Sequence, residues 1–220
     1  MARIQFVTTL HTGTKRDYLA RVTERDKAEV AELAVQYGVD YWDGSRQTGY
    51  GGYKYDGRWR KVARALVDHY GLKSGDRVLD VGAGKGFLLH DLSLECPGVE
   101  IAGLDISSYA IDHAVALIKP NLSLGTAAKL PYPDKSFDLV VSLNTLHNLY
   151  LPDLFSAFHE IERVGREHKF VCVESYRTER EKVNLMYWQL TCRAFHTPSE
   201  WEWLFERTGY SGDYEFIFFD

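Results

Sequence analysis

The chain reads as an α/β protein: a Rossmann-like, doubly wound, mostly parallel sheet with helices on both faces, preceded by a small helical cap. Three observations predict this. From residue 77 onward short apolar runs alternate with helical segments, the pattern of a parallel sheet buried on both sides. The run Val78-Leu79-Asp80-Val81-Gly82-Ala83-Gly84-Lys85-Gly86-Phe87 carries an apolar strand straight into a glycine turn and a helix start. Acidic or polar residues fall at the carboxyl ends of the apolar runs, where open α/β sheets bind their ligands.

In chain order, residues 15–37 predict helix in two pieces, with Val30, Leu33 and Ala34 at helical spacing. Residues 40–57 hold five aromatics and five glycines in neither helical nor strand period. They read as a long functional loop or lid. Residues 1–57 thus form a cap with an aromatic lid, and residues 58–220 the main domain. A helix at 58–70 carries Trp59, Val62, Ala65, Leu66 and Val67, with Trp59 in the core. Strands follow at Arg77–Val81, Glu100–Asp105, Leu122–Thr126, Phe137–Leu143, Lys169–Glu174 and Tyr214–Phe219. Helices fall at Phe87–Glu95, Ser108–Lys119 (capped by Ser107 or Ser108) and Pro152–Val164. Two more helical pieces precede the last strand, and Thr197-Pro198-Ser199-Glu200 opens the second. Trp201 and Trp203 lie two apart on that helix, so one is expected in the core and the other toward the pocket.

Composition narrows the function. A chain of 220 residues, 45% hydrophobic, suits one domain with a cap and a sizeable core. A formal net charge of −5 without a long basic block argues against a nucleic-acid partner. The clusters Arg58 to Lys61 and Arg177 to Lys182 read as solvated helix faces. Cys96, Cys172 and Cys192 have no metal-ligand spacing, and their odd number argues against a disulfide framework. Reduced cysteines in a cytoplasmic setting are expected. Neither a signal region nor an apolar run of membrane-spanning length is present, so no membrane partner is expected.

The glycine turn reads G-x-G-x-G, whereas the dinucleotide fingerprint G-x-G-x-x-G would place its third glycine at Phe87. Asp80, two residues before Gly82, repels a phosphate and suits a ligand amino group. Asp105, ending the second strand, suits ribose hydroxyls. Gly125-Thr126-Ala127-Ala128 and Leu143-Asn144-Thr145-Leu146-His147-Asn148 follow the third and fourth strands. In this order and spacing, over about residues 76–175, the four elements resemble the class I S-adenosylmethionine-dependent methyltransferases.

The resemblance implies S-adenosyl-L-methionine as cofactor, with no metal. Gly82, Ala83 and Gly84 would lie along its methionine part with Asp80 nearby. Asp105 would hold the ribose hydroxyls, with Ile106 against the adenine. Thr126 and Ala127 would meet the adenine edge, and Leu143 and Asn144 the reactive sulfonium. Thr126 departs from the aspartate frequent in the family. The C-terminus departs too: the family ends on a strand pair with an antiparallel last member, and here the single strand Tyr214–Phe219 remains, so the pair is expected to be truncated.

His147 and Glu174 are the candidates for proton transfer. Each has a plainer reading, His147 as a helix-start histidine that caps or packs, and Glu174 as a surface carboxylate paired with Arg177. Tyr176 and His196 read as packing or solvent-facing. On the lid, Tyr50, Tyr53 and Tyr55 could wall a methyl channel, since aromatic faces stabilise a cation. Arg46, Lys54 or Arg58 could meet an anionic group. The plainer reading is an aromatic loop packed over the sheet edge. The expected activity is methyl transfer to oxygen or nitrogen of a small polar, anionic metabolite. The lid resembles that of small bacterial methyltransferases from surface-polysaccharide or secondary-metabolite gene clusters. The expected partner is a small-molecule acceptor, in a monomer or homodimer. Three alternatives stay open: a nicotinamide-dependent oxidoreductase, disfavoured by Asp80 and Phe87; a non-catalytic cofactor-binding partner, its missing strand exposing a sheet edge; and a macromolecular acceptor, RNA or protein.

Overall fold

Six strands form one sheet in the order β3-β2-β1-β4-β5-β6, every neighbouring pair parallel. They are β1 Arg77–Val81, β2 Glu100–Asp105, β3 Leu122–Leu124, β4 Phe137–Leu143, β5 Gly165–Glu174 and β6 Asp213–Ile217. The computed structural model describes residues 1–13 and 16–220; Lys15, first residue of the expected cap helix, lies outside them. Strand order reverses between β1 and β4, so the crevice of the fold opens beside their carboxyl ends.

The helices are α1 Thr8–Thr12, α2 Ala20–Thr23, α3 Lys27–Ala34, α4 Val39–Trp42, α5 Arg60–Tyr70, α6 Phe87–Glu95, α7 Ser108–Asp112, α8 Leu151–Val164, α9 Glu179–Trp188 and α10 Pro198–Thr208. Alternate residues of each strand enter opposite cores. Leu79, Val140 and Val171 pack with α8 and α10, whereas Val78, Leu139 and Phe170 pack with α5 and α6. This two-sided burial is why the strands read as nearly continuous apolar runs. Among the described residues, no helix is long and apolar enough to cross a membrane.

Local signals act as expected at two helix starts. Ser107 accepts the Ala110 amide, and Thr197 with Glu200 forms a reciprocal capping box. The helix expected over 108–119 stops at Asp112, because the chain turns back and the Val115 amide bonds the Lys85 carbonyl. Trp201 is fully buried. Trp203 is exposed beside Arg207, so the expectation that it reaches the pocket is corrected. Trp59 is only partly buried and faces a cleft rather than filling the core.

The C-terminal departure has a structural answer. β6 lies parallel beside β5, and its outer edge is not free. The Ile4 amide donates to the Tyr214 carbonyl at 2.9 Å, and the Tyr214 amide to that of Ala2 at 3.0 Å. The Glu215 carboxylate, 1% exposed, then accepts the amides of Phe6, Val7 and Thr8 at 2.8, 2.8 and 2.6 Å and the Thr8 hydroxyl at 2.6 Å. An exposed edge for a partner is therefore not what the missing strand leaves. Instead the N-terminal segment straps the edge and enters α1.

Glu215→Ala should cost about 3 kcal/mol, given the worth of hydrogen bonds to a charged group. Urea denaturation would measure the loss. Hydrogen exchange should accelerate at the Phe6, Val7 and Thr8 amides before it does in β1.

Candidate active site

The glycine turn after β1 is shaped by what lies against it. Gly84 sits at φ +54°, and a Cβ there would fall 2.7 Å from the Trp42 ring. Its amide donates to Asp105 at 2.7 Å. The Trp42 indole N–H donates to the Ser107 hydroxyl at 2.9 Å and the Tyr37 carbonyl at 3.1 Å. Phe87, where a dinucleotide turn would have glycine, stacks on Tyr53 at 4.8 Å and 24°. The third glycine is thus replaced by a ring that the lid packs on.

Residues 43–57 are folded down on this turn. Lys85, buried, donates to both Asp43 carboxylate oxygens at 2.7 Å and to the Tyr53 carbonyl at 2.9 Å. Tyr109 donates to Asp43 at 2.9 Å. The loop coils tightly, and a Cβ on Gly49 would lie 2.0 Å from the Tyr41 carbonyl oxygen. Glycine here is a packing requirement and not a sign of a slack loop.

Three cavities meet beneath the lid. One of about 50 Å³ is lined by Asp80, Gly82, Ala83, Gly84 and Leu143. A second, about 260 Å³, is lined by Asp105, Ile106, Thr126 and Ala127, again with Gly82 and Leu143. The third is a cleft of about 580 Å³. Tyr50 and Asn144 line all three. Asn144 holds a left-handed φ of +55°, a backbone cost that clusters at functional sites. Every cofactor residue expected from the sequence lines one of the two inner cavities.

The chemistry of these walls fits a ligand with an amino group at one end and hydroxyls further along. Asp80 is buried and takes no hydrogen bond from any described residue; burial and the charge of Asp105 push its carboxyl up to about 8. A cationic ligand group relieves that burden. Asp105 is also pushed up by burial, against the Ser107 and Gly84 amides that it accepts. The Thr126 hydroxyl accepts the Ala128 amide at 3.3 Å.

On the floor of the large cleft, His147 and Glu174 form a buried pair. His147 Nδ1 accepts the Glu174 amide at 3.3 Å, which leaves the ring proton on Nε2, 3.4 Å from Glu174 Oε2. Gln189 donates to Oε1. Burial alone lowers His147 to about 3 and is the main force raising Glu174 to about 8, so both are uncharged near neutral pH. Arg177 pairs with Glu181 and Asp220 instead, which overturns the surface-pair reading of Glu174. Tyr176 packs in the core margin, and His196 lies edge-on to Trp201.

Arginines roof this cleft: Arg16, Arg21, Arg46 and Arg58 all line it. The guanidinium carbons of Arg16, Arg21 and Arg46 lie 5.4, 5.0 and 5.1 Å from the Trp188 ring. Arg21 spends its donors on the carbonyls of Trp188, Arg46 and Gln47. Arg46 donates to the Tyr50 carbonyl at 3.0 Å, and Arg58 pairs with Asp56 at 2.6 Å. Burial, then repulsion from Arg46, lowers Arg21 to about 10; burial also lowers Arg46, with Arg58 adding repulsion.

Tyr50 and Tyr53 line both the large cleft and the smallest cavity, and Arg46 and Arg58 line the large cleft. Tyr55 does not. Its hydroxyl donates to Asp91 at 2.6 Å and its ring meets His90 edge-on, so it ties the lid to α6 outside all three cavities. Lys54 lines none of them either. The sequence reading missed Arg16, Arg21 and Trp188. Arg16 lies in the connection between α1 and α2, Arg21 in α2 and Trp188 at the end of α9, and no local pattern joins them.

A family model described as a methyltransferase domain matches residues 72–209. Phosphoethanolamine N-methyltransferase 3 of Arabidopsis thaliana is 30% identical over 111 residues, 48% of this chain and 22% of that protein. Demethylmenaquinone methyltransferase of Symbiobacterium thermophilum is 28% identical over 145 residues, 60% of this chain and 57% of that protein. The chain thus spans well under two thirds of these curated relatives. The crystal structure of the YcgJ protein from Bacillus subtilis superposes with a TM-score of 0.55 at 25% identity, covering 66% of this chain and 67% of that one.

Trp42→Ala should remove about 3–5 kcal/mol of stability, the usual cost of emptying a tryptophan site. It should also speed proteolytic cleavage within residues 43–57, read by limited proteolysis, because the ring is what seats the lid on Gly84.

Proposed function

Because the chain belongs to the class I S-adenosylmethionine-dependent methyltransferase family, we propose that its acceptor is a small, polar, anionic metabolite, methylated on oxygen or nitrogen in the large cleft. The observation that carries this reading is the arginine roof over a cleft that meets the cofactor cavities at Asn144 and Tyr50. The two curated relatives are named for phosphoethanolamine and for demethylmenaquinone, acceptors of unlike chemistry, so the acceptor is read from the cleft itself. We assign residues 1–57 to the cap and lid and residues 58–220 to the catalytic domain, and place its action in the cytoplasm.

When bound, S-adenosyl-L-methionine supplies a methyl group activated by a sulfonium leaving group. Asp80 would pair with its ammonium, and Asp105 would receive its ribose hydroxyls. Ile106, Thr126 and Ala127 would border the adenine, with Gly82, Ala83, Gly84, Leu143 and Asn144 along the remainder. The protein's own task is then alignment, which can contribute about 7–11 kcal/mol. Arg46 and Arg58 would hold the anionic end of the acceptor away from the floor. Tyr50 and Tyr53 would exclude water around the transferring methyl, and Glu174, positioned beside His147, would receive a proton from the nucleophile once its own has left.

A screen of phosphorylated and carboxylated acceptors against their neutral analogues, read by S-adenosylhomocysteine release, tests the anionic reading. Arg46→Ala and Arg58→Ala should each raise the acceptor KM by about tenfold to a hundredfold and leave cofactor affinity unchanged. Indifference to both substitutions would overturn it. Cofactor binding carries its own signature. The ligand ammonium favours ionised Asp80, so binding below pH 8 should release a proton, and affinity should rise with pH until about 8 and then level. Calorimetry in buffers of different ionisation heat measures the release, and Asp80→Asn should abolish the slope.

A further inference from the structure

We propose that the acceptor's nucleophile is an amine tethered to the anionic group, methylated on nitrogen, with Glu174 as its proton acceptor and Gln189 as a positioning residue for Glu174. This rests on the large cleft being the acceptor site. The geometry begins with one atom. Glu174 Oε2 is fully buried, lies on a residue lining the cleft, and makes no hydrogen bond among the described residues, its polar neighbour His147 Nε2 standing 3.4 Å away. The other carboxyl oxygen is held by Gln189, and the Glu174 backbone is fixed by the Trp201 indole, which donates to its carbonyl at 3.0 Å. Side-chain and backbone contacts thus hold the open oxygen in place. An unpaired buried acceptor costs about 1–3 kcal/mol, and such groups in a native protein call for an explanation.

The groups around Glu174 come from several elements. His147 follows β4, Gln189 and Cys192 follow α9, Tyr41 and Tyr50 come from the lid region, and Arg16 from the cap. None of them removes the burial that keeps the carboxyl protonated near neutral pH. A ligand ammonium brings the missing cation and a hydrogen for Oε2 together. A hydroxyl brings only a neutral hydrogen bond, and its proton is held too tightly for a carboxylate to take. An alkylammonium, with a pKa of about 10, lies within about two units of the raised Glu174, the near match that proton transfer favours. His147, lowered to about 3, does not compete for the proton.

The step balances. As the ammonium docks, Glu174 first releases its own proton to water, the cation stabilising the carboxylate; the ionised carboxylate then takes the proton of the ammonium, becoming a carboxylic acid again. The freed nitrogen lone pair forms the N–C bond as the methyl carbon's bond to sulfur breaks, its electron pair remaining on sulfur. The proton leaves Glu174 for water when the cleft opens.

The test uses matched probes, aminoalkyl phosphates of two to six carbons and the corresponding hydroxyalkyl phosphates. Each is titrated calorimetrically into the protein saturated with S-adenosylhomocysteine. The best amine should bind at least about tenfold more tightly than its alcohol counterpart. Glu174→Gln should erase that preference while leaving S-adenosylhomocysteine affinity unchanged. Gln189→Ala, a milder change that keeps the carboxyl, should weaken the amine several-fold and the alcohol not at all. Equal or tighter binding of the alcohols, or a preference that survives both substitutions, overturns the amine assignment and leaves the anionic reading standing. If neither series binds better than the unphosphorylated alcohols, the anionic reading falls, and this inference with it.

Discussion

The indole of Trp42 against the backbone of Gly84 is the contact on which the rest of the site depends. No side chain larger than hydrogen fits at Gly84 because the ring is already there. The ring is in turn fixed by Ser107, two residues beyond Asp105, and by Tyr37 in the cap. The glycine turn, Asp105 and the loop of residues 43–57 are therefore one mechanical unit. Asp43 follows Trp42 directly, so seating the ring also delivers its carboxylate to Lys85 and Tyr109. The aromatic run continues from Trp42 through Tyr50 and Tyr53 to Phe87. The lid is thus registered against α6 by ring contacts along its length, each worth about 0.5–1.5 kcal/mol beyond its buried area.

Electrostatics divides the site into a floor and a roof. The floor, at the strand ends, carries titratable groups held uncharged by burial: Asp80, Glu174 and His147. The roof, on the cap and lid, carries arginines crowded around Trp188. Both carboxyls bind protons more tightly folded than unfolded, so their share of stability is full below the ordinary carboxylate range and is lost as pH rises toward 8. His147 has the opposite sign, because a buried neutral imidazole costs stability as pH falls below 6.5.

The sheet was legible because its signal is local. A buried parallel strand announces itself by five or six apolar residues, and a glycine turn by its glycines, and each inner-cavity residue from Asp80 to Asn144 lies within a few positions of such a marker. The acceptor side was half legible. Tyr50, Tyr53, Arg46 and Arg58 stand in one conspicuous loop, whereas Arg16, Arg21 and Trp188 come from separate elements that meet only in the folded chain. Tyr55 shared the composition of its neighbours yet turned outward, because Asp91 on α6 offered its hydroxyl a partner. Helical spacing places one of Trp201 and Trp203 in the core and the other toward the pocket; Trp201 fills the inward face of α10 with Leu204 and Phe205, and Trp203 faces solvent. Periodicity separates two faces of a helix; it does not say which cavity the outer one meets.

The contact least visible in the sequence also shapes the cleft most broadly. Glu215 binds amides more than two hundred residues earlier in the chain, and no window of the sequence relates the two. Glu215 follows Tyr214, whose backbone faces the outer edge of β6 and bonds Ala2 and Ile4 there. The N-terminal segment supplies that pairing for a few residues only. It then turns into α1, so that Val7, Thr9, Leu10 and His11 become a wall of the large cleft, and His11 closes onto the Phe218 carbonyl at 2.9 Å. One segment, the N-terminal strap, therefore both occupies the β6 edge and builds this wall of the large cleft.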